Sequence, residues 1–190
     1  MPSRLGRGPR RRRQPLPRNP IQGRRLHVIR TLFTPRTTNG TPDAALLVLP
    51  VKAGSTPAGL PSHPQHHARP RNRLRLGSRR LRRRAPCRRT SVPIEFVAQQ
   101  NCTTAQRSLR RLPYPQVQLR AAPAAGAERN TCTRDSGSPV FGTKGTVVAL
   151  VSWGPSCRID ETGVYVRVAS LRRWISRATS HHRPRKRGTK

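Results

Sequence analysis

Asn130-Thr131-Cys132-Thr133-Arg134-Asp135-Ser136-Gly137-Ser138-Pro139 sets a serine hydroxyl among small residues and turn formers. A hydroxyl held in such a turn can face a substrate carbonyl while nearby backbone N–H groups face the oxyanion that develops. The flanking sequence says what carries this loop. Downstream, Gly145 to Val151 and Gly163 to Val168 are short apolar runs separated by Gly154-Pro155, and both read as strands. Leu171 to Ala178 reads as a closing helix. Upstream, Val92-Pro93-Ile94-Glu95-Phe96-Val97 alternates like a half-buried strand, with Pro93 pointing to a sheet edge. Asp43-Ala44-Ala45-Leu46-Leu47-Val48-Leu49 is an apolar run among turn formers, expected as a buried strand. Asn101 to Leu112 is expected as a short amphipathic helix capped by Thr103 or Thr104. Short strands, Gly and Pro turns and one closing helix together give an all-β barrel or sandwich.

Composition limits how much of the 190 residues such a fold can order. Hydrophobic residues make up 33 % and aromatics 4 %, with 20 prolines, too little apolar surface to order the whole chain. Lys+Arg is 40 against 6 for Asp+Glu, a formal charge of +34. Only Lys52, Lys144, Lys186 and Lys190 are lysines; the skew to arginine is what GC-rich coding DNA produces, so part of the charge is a codon effect. Residues 1–24 read as an Arg/Pro-rich disordered tail, 25–178 as a partial folded domain and 179–190 as a basic disordered tail. No run approaches the ~18 apolar residues of a membrane span, and no signal peptide is visible behind Met1.

The four cysteines are Cys87, Cys102, Cys132 and Cys157, and none stands in a Cys-x-x-Cys pair. No metal site and no cofactor is expected. His66-His67 and His181-His182 read as solvated loop residues. An even cysteine count without metal spacing favours disulfides and an oxidising compartment, with three connectivities open for four cysteines.

The 130–139 loop resembles the active-site loop of the trypsin-like (chymotrypsin-fold) serine proteases, whose motif is Gly-Asp-Ser-Gly-Gly-Pro. Further stretches are similar to the family in order and spacing: Val151-Ser152-Trp153-Gly154, Cys157, Gly163-Val164-Tyr165-Val166-Arg167-Val168 and Trp174-Ile175. Asp43-Ala44-Ala45-Leu46-Leu47 resembles the segment that carries the family's triad aspartate. Asp43 and Ser136 stand 93 positions apart, matching the family's separation of about 93. The resemblance covers roughly Leu26 to Ala178. It implies a double β-barrel with an incomplete amino-terminal barrel and a carboxy-terminal helix. It implies Ser136 as nucleophile, Asp43 as the carboxylate that orients a histidine, and the N–H groups of Arg134 and Ser136 as oxyanion hole. It further implies a Cys132–Cys157 disulfide bracing a specificity pocket with Asn130 at its base, Ser152, Trp153 and Gly154 along one wall and Gly163 at the other. Asp135 takes the place of the aspartate that, in the family, pairs with a freed amino terminus. Trp153 and Tyr165 fit barrel packing equally well. Protein or peptide substrates and secretion are what the family implies.

The departures bear on activity. The family's general-base histidine lies about 45 residues before the aspartate, a position that falls before Met1. His27 is too near Asp43 and stands in a strand-like stretch. The chain is therefore expected to be an amino-terminally truncated relative, impaired as a protease. Arg134 replaces a glycine and is expected to be strained if its φ is positive. The family's partner for Cys102 is missing, Ala121-Ala122 standing near its place, so Cys102 is either free or bonded to Cys87. A second reading is a basic, non-enzymatic protein that binds anionic polymers such as nucleic acid. Against it, aromatic residues are not interleaved with the arginines and no nucleic-acid motif is present.

Overall fold

Alternating valines and alanines, with a tyrosine at the centre, draw the second half of the chain into a closed barrel. The computed structural model describes residues 25–36, 42–62, 71–75, 90–97, 114–142, 145–154 and 157–180. The tails expected at 1–24 and 181–190, the helix expected at 101–112, Cys87, Cys102 and every histidine but His27 lie outside these residues. The strands are β1 (Arg30–Phe33), β2 (Ala45–Val48), β3 (Arg71–Arg75), β4 (Thr90–Val97), β5 (Gln118–Pro123), β6 (Pro139–Phe141), β7 (Val147–Trp153) and β8 (Gly163–Arg167). One helix, α1 (Val168–Ser180), follows directly.

The barrel runs β3-β4-β5-β8-β7-β6 with β6 closing on β3 through Asn72↔Phe141 and Arg73↔Val140. Every neighbouring pair is antiparallel. Its core is Val92, Ile94, Leu119, Ala121, Val140, Val148, Ala149, Val151 and Tyr165, with Phe96 packed alongside. Each large apolar side chain taken out of water contributes roughly 1.5–3 kcal/mol, so this cluster carries the barrel. Tyr165 belongs to it; Trp153 is exposed at the end of β7.

Several expectations need adjusting. Pro93 lies on an interior strand, not at a sheet edge. It pairs with Asn72 of β3 and sits one residue beyond the last β4–β5 pair, Ile94↔Pro123, where its carbonyl still accepts from Ala124. Gly145 has φ 69 and belongs to a turn, so β7 starts at Val147 and extends to Trp153. Helix α1 begins three residues before Leu171, because Val168 leaves β8 straight into it, and Val168 and Leu171 face inward. Arg177 stands in its last turn, where a cation suits the carbonyl end.

The first half forms a two-stranded sheet, Arg30↔Val48 through Phe33↔Ala45. A buried strand is expected at β2, yet Leu47 is 61 % exposed and Phe33 on the same face is 76 % exposed. The reason is that the described residues supply no second layer over this face. The sheet is tied to the barrel through the segment after it. Val147 N–H donates to the Gly59 carbonyl at 2.9 Å, and Arg172 of α1 donates to the Pro61 carbonyl at 3.1 Å.

Candidate active site

Two consecutive tight turns shape the serine loop. In the first, Asp135 N–H donates to the Cys132 carbonyl at 3.0 Å; in the second, Ser138 N–H donates to the Asp135 carbonyl at 2.9 Å. Each turn has a positive φ at its third residue, 73° at Arg134 and 81° at Gly137. That position suits glycine, and only the second turn has one. Gly137 N–H then donates to the Val151 carbonyl at 2.8 Å, and Val151 N–H returns to Ser138 at 3.0 Å, pinning the loop to β7. The N–H groups of Arg134 and Ser136 take part in none of these bonds among the described residues. Asp135 is fully buried, and its Oδ2 accepts from the Cys132 N–H at 2.8 Å.

Asp43 reaches the same place from the other half of the chain. Ala44 N–H bonds the Pro42 carbonyl at 3.0 Å, a three-residue turn with Asp43 at its apex. The Thr34 hydroxyl donates to the same carbonyl, fixing the turn against the end of β1. Between Val151↔Tyr165 and Trp153↔Val164 the β7–β8 register slips, so Ser152 is the extra residue of a bulge. The bulge lets Ser152 face both partners. Its Oγ donates to Asp43 Oδ2 at 2.7 Å, and its carbonyl accepts from Ser136 Oγ at 3.2 Å. This bridge is what sequence reading missed: Ser152 was legible only as a pocket wall, and the bulge depends on a register that no local pattern reveals.

The residues expected around a pocket are also brought together. A Cβ built on Gly154 would lie 3.4 Å from Gly163 Cα, and one on Gly163 would lie 3.4 Å from Thr131 Oγ1 and 3.2 Å from Tyr165 Cε2. Cys132 and Cys157 are joined by a disulfide with Cα atoms 4.5 Å apart, inside the ~7 Å limit for bridging. Asn130 is buried, its amide turned to the backbone of the loop that follows Cys157. On that loop Arg158 grips Asp160 through Nε at 2.9 Å and Nη2 at 2.6 Å. This hydrogen bond holds the Asp160 carboxyl below the usual carboxylate range and raises Arg158 above its own. His27 is exposed ahead of β1 and has no hydrogen bond to Asp43 or Ser136. No cluster able to hold a metal ion occurs among the described residues.

Comparison with known proteins places this geometry in a family. The trypsin family model matches residues 14–175. Trypsin iota of Drosophila melanogaster is 43 % identical over 58 residues, 30 % of this chain and 23 % of that protein. The inactive CLIP domain-containing serine protease A3 of Aedes aegypti is 37 % identical over 86 residues, 42 % of this chain and 18 % of that one. The matched stretches thus span about a quarter or less of these relatives. Among solved structures, neuropsin, a serine protease of mouse brain, superposes with a TM-score of 0.64 at 20 % identity, covering 81 % of this chain and 71 % of neuropsin. The barrel, the serine loop and a family match over most of the chain agree: this protein belongs to the trypsin family of serine proteases.

Proposed function

We propose that the site is that of a serine endopeptidase, with Ser136 as nucleophile and Asp43 as the carboxylate that orients a histidine base. The observation that carries this reading is the Ser152 bridge, on which two residues 93 positions apart meet. In the proposed reaction Ser136 Oγ adds to a peptide carbonyl carbon while its proton passes to the base. The resulting oxyanion is met by the N–H groups of Arg134 and Ser136, and collapse expels the amine with that proton, leaving an acyl-enzyme for water to hydrolyse. Substrate side chains would enter between Asn130, the Ser152-Trp153-Gly154 wall and Gly163. The Cys132–Cys157 disulfide supports an oxidising, secretory setting.

Among the described residues His27 is the one histidine, and it bonds neither Asp43 nor Ser136. Asp43 has its hydrogen bond with Ser152 and not with Ser136, so it does not serve as the proton acceptor itself. Turnover is therefore expected at least ~10³-fold below that of an intact relative, the scale set by loss of a triad member. Peptide cleavage and active-site phosphonate labelling of wild type against Ser136→Ala test both claims. Labelling that survives Ser136→Ala would remove the nucleophile assignment. Wild-type cleavage at ordinary protease rates, abolished by that substitution, would show that a base is supplied elsewhere in the chain. A second activity, binding of anionic polymers, is favoured by the +34 charge and needs no part of this site.

A further inference from the structure

We propose that the outer edge of β1 is a docking strand for an extended segment of an acidic partner protein, one in which apolar and acidic residues alternate. This surface lies in the first half of the chain and uses no part of the serine site.

A chain this poor in aromatic residues leaves one of them outside. Of its three phenylalanines, Phe96 packs against the barrel core, whereas Phe33 stands exposed beside Leu47 on one face of the β1–β2 sheet. Ile29, just ahead of β1, is 60 % exposed. Single exposed apolar residues need no explanation, but several grouped on one small sheet mark a contact surface.

The backbone of β1 supplies the ladder. Thr34 N–H donates to the Ala44 carbonyl at 3.3 Å. Bonded and non-bonded pairs alternate along an antiparallel ladder, so Leu32 also turns its backbone groups to β2, while Thr31 and Phe33 turn theirs away. Among the described residues no strand pairs with that outer edge. An extended segment that joins it antiparallel exchanges N–H···O bonds with Thr31 and Phe33. The residues opposite these two share their face of the sheet and meet the Phe33 ring, which asks for apolar side chains there.

Charge decides the rest of the partner. Arg30 lies on the opposite face of β1, exposed and without a bonded partner among the described residues, so the residue set across from it is acidic. Arg25, Arg36 and Lys52 are exposed around the sheet and add to the same field. The chain cannot meet this demand itself. Its six carboxylates are Asp43, Glu95, Glu128, Asp135, Asp160 and Glu161, and none stands in β1 or β2. A second copy would bring another +34 charge and another Arg30.

The test titrates the full chain with a fluorescein-labelled peptide of alternating valine and glutamate, read by anisotropy at about 150 mM salt, where diffuse charge attraction is screened. A block peptide of the same composition carries equal charge without the alternation. The alternating peptide should bind at least ~10-fold tighter than the block peptide. Phe33→Ser should cost at least ~10-fold, and Arg30→Glu at least ~3-fold, by setting like charges across the ladder. Both side chains are exposed, so neither substitution touches the packing of the fold. N-methylation of the valines, whose N–H groups face β1, should abolish the preference, and N-methylation of the glutamates should spare it. Equal effects of the two methylations would overturn the strand pairing. Equal affinity for alternating and block peptides would reduce the binding to polyanion attraction and overturn the proposal. Dimerisation of wild type in sedimentation equilibrium, lost in Phe33→Ser, would give the face to a second copy and overturn it as well.

Discussion

At Arg134 a side chain is held in backbone geometry that favours none. Its φ of 73° crowds Cβ against the backbone, at a cost of about 1–2 kcal/mol. Arg134→Gly removes that strain and returns about 0.4–1 kcal/mol through a freer unfolded chain. The net expectation is a gain of up to about 1.6 kcal/mol, and a Tm rise of ~2–4 °C for each kcal/mol gained, by calorimetry. A lower Tm would mean that the guanidinium makes a contact outweighing the strain. Arg120 presents the opposite case, ordinary backbone with a misplaced charge. It is 2 % exposed on β5, and Nε, Nη1 and Nη2 all lack a hydrogen-bond partner among the described residues. A buried cation without a partner costs more than the apolar residue that would fill the same space. Arg120→Met is expected to stabilise the chain by about 1–4 kcal/mol, the range for replacing buried charge by well-packed apolar groups. Denaturant unfolding checks it, and destabilisation would reveal an anionic partner for Arg120.

Among the elements, the serine loop carries a covalent tether as well as backbone bonds to β7. The Cys132–Cys157 bridge closes a loop with a sequence separation of 25, and the chain-entropy relation gives about 3.5 kcal/mol for a loop of that size. The double variant Cys132→Ser, Cys157→Ser should lose roughly that much, read by urea unfolding, and should also exchange faster at Arg158–Glu161. An unchanged midpoint would show that the non-covalent contacts between the two loops suffice without the bridge. Much of this element was legible in the sequence. The turn residues and the strands around Val147 and Gly163 follow from local patterns, while the Asp43–Ser136 separation and the suspicion attached to Arg134 come from the family resemblance. What stayed hidden depends on pairing. Strand β3 is Arg-Asn-Arg-Leu-Arg, with no apolar alternation to mark it, and it is a strand because β4 and β6 flank it. The exposure of Leu47 and Phe33, the bulge at Ser152 and the buried amide of Asn130 likewise arise only when distant segments meet.

For the molecule as a whole, charge and site should behave as independent properties. Arg25, Arg30, Arg36, Lys52, Arg129, Arg172, Arg173 and Arg177 are all exposed, spread over the sheet, the barrel and the helix. A surface of this kind binds a polyanion by releasing its counterions, so log K falls linearly with log salt. With six or more phosphates neutralised, affinity for single-stranded DNA should fall by at least ~300-fold between 50 and 200 mM salt. Phosphonate labelling of Ser136 depends on a serine, the base that takes its proton and two backbone N–H groups, and involves no release of counterions. Fluorescence anisotropy of a labelled 30-nucleotide strand and phosphonate labelling, run across the same salt series, should therefore diverge. Ser136→Ala should abolish labelling and leave the binding isotherm unchanged. DNA binding that held its affinity at 200 mM salt would require apolar or base-stacking contacts, and the exposed Trp153 beside the site would then be the first residue to replace.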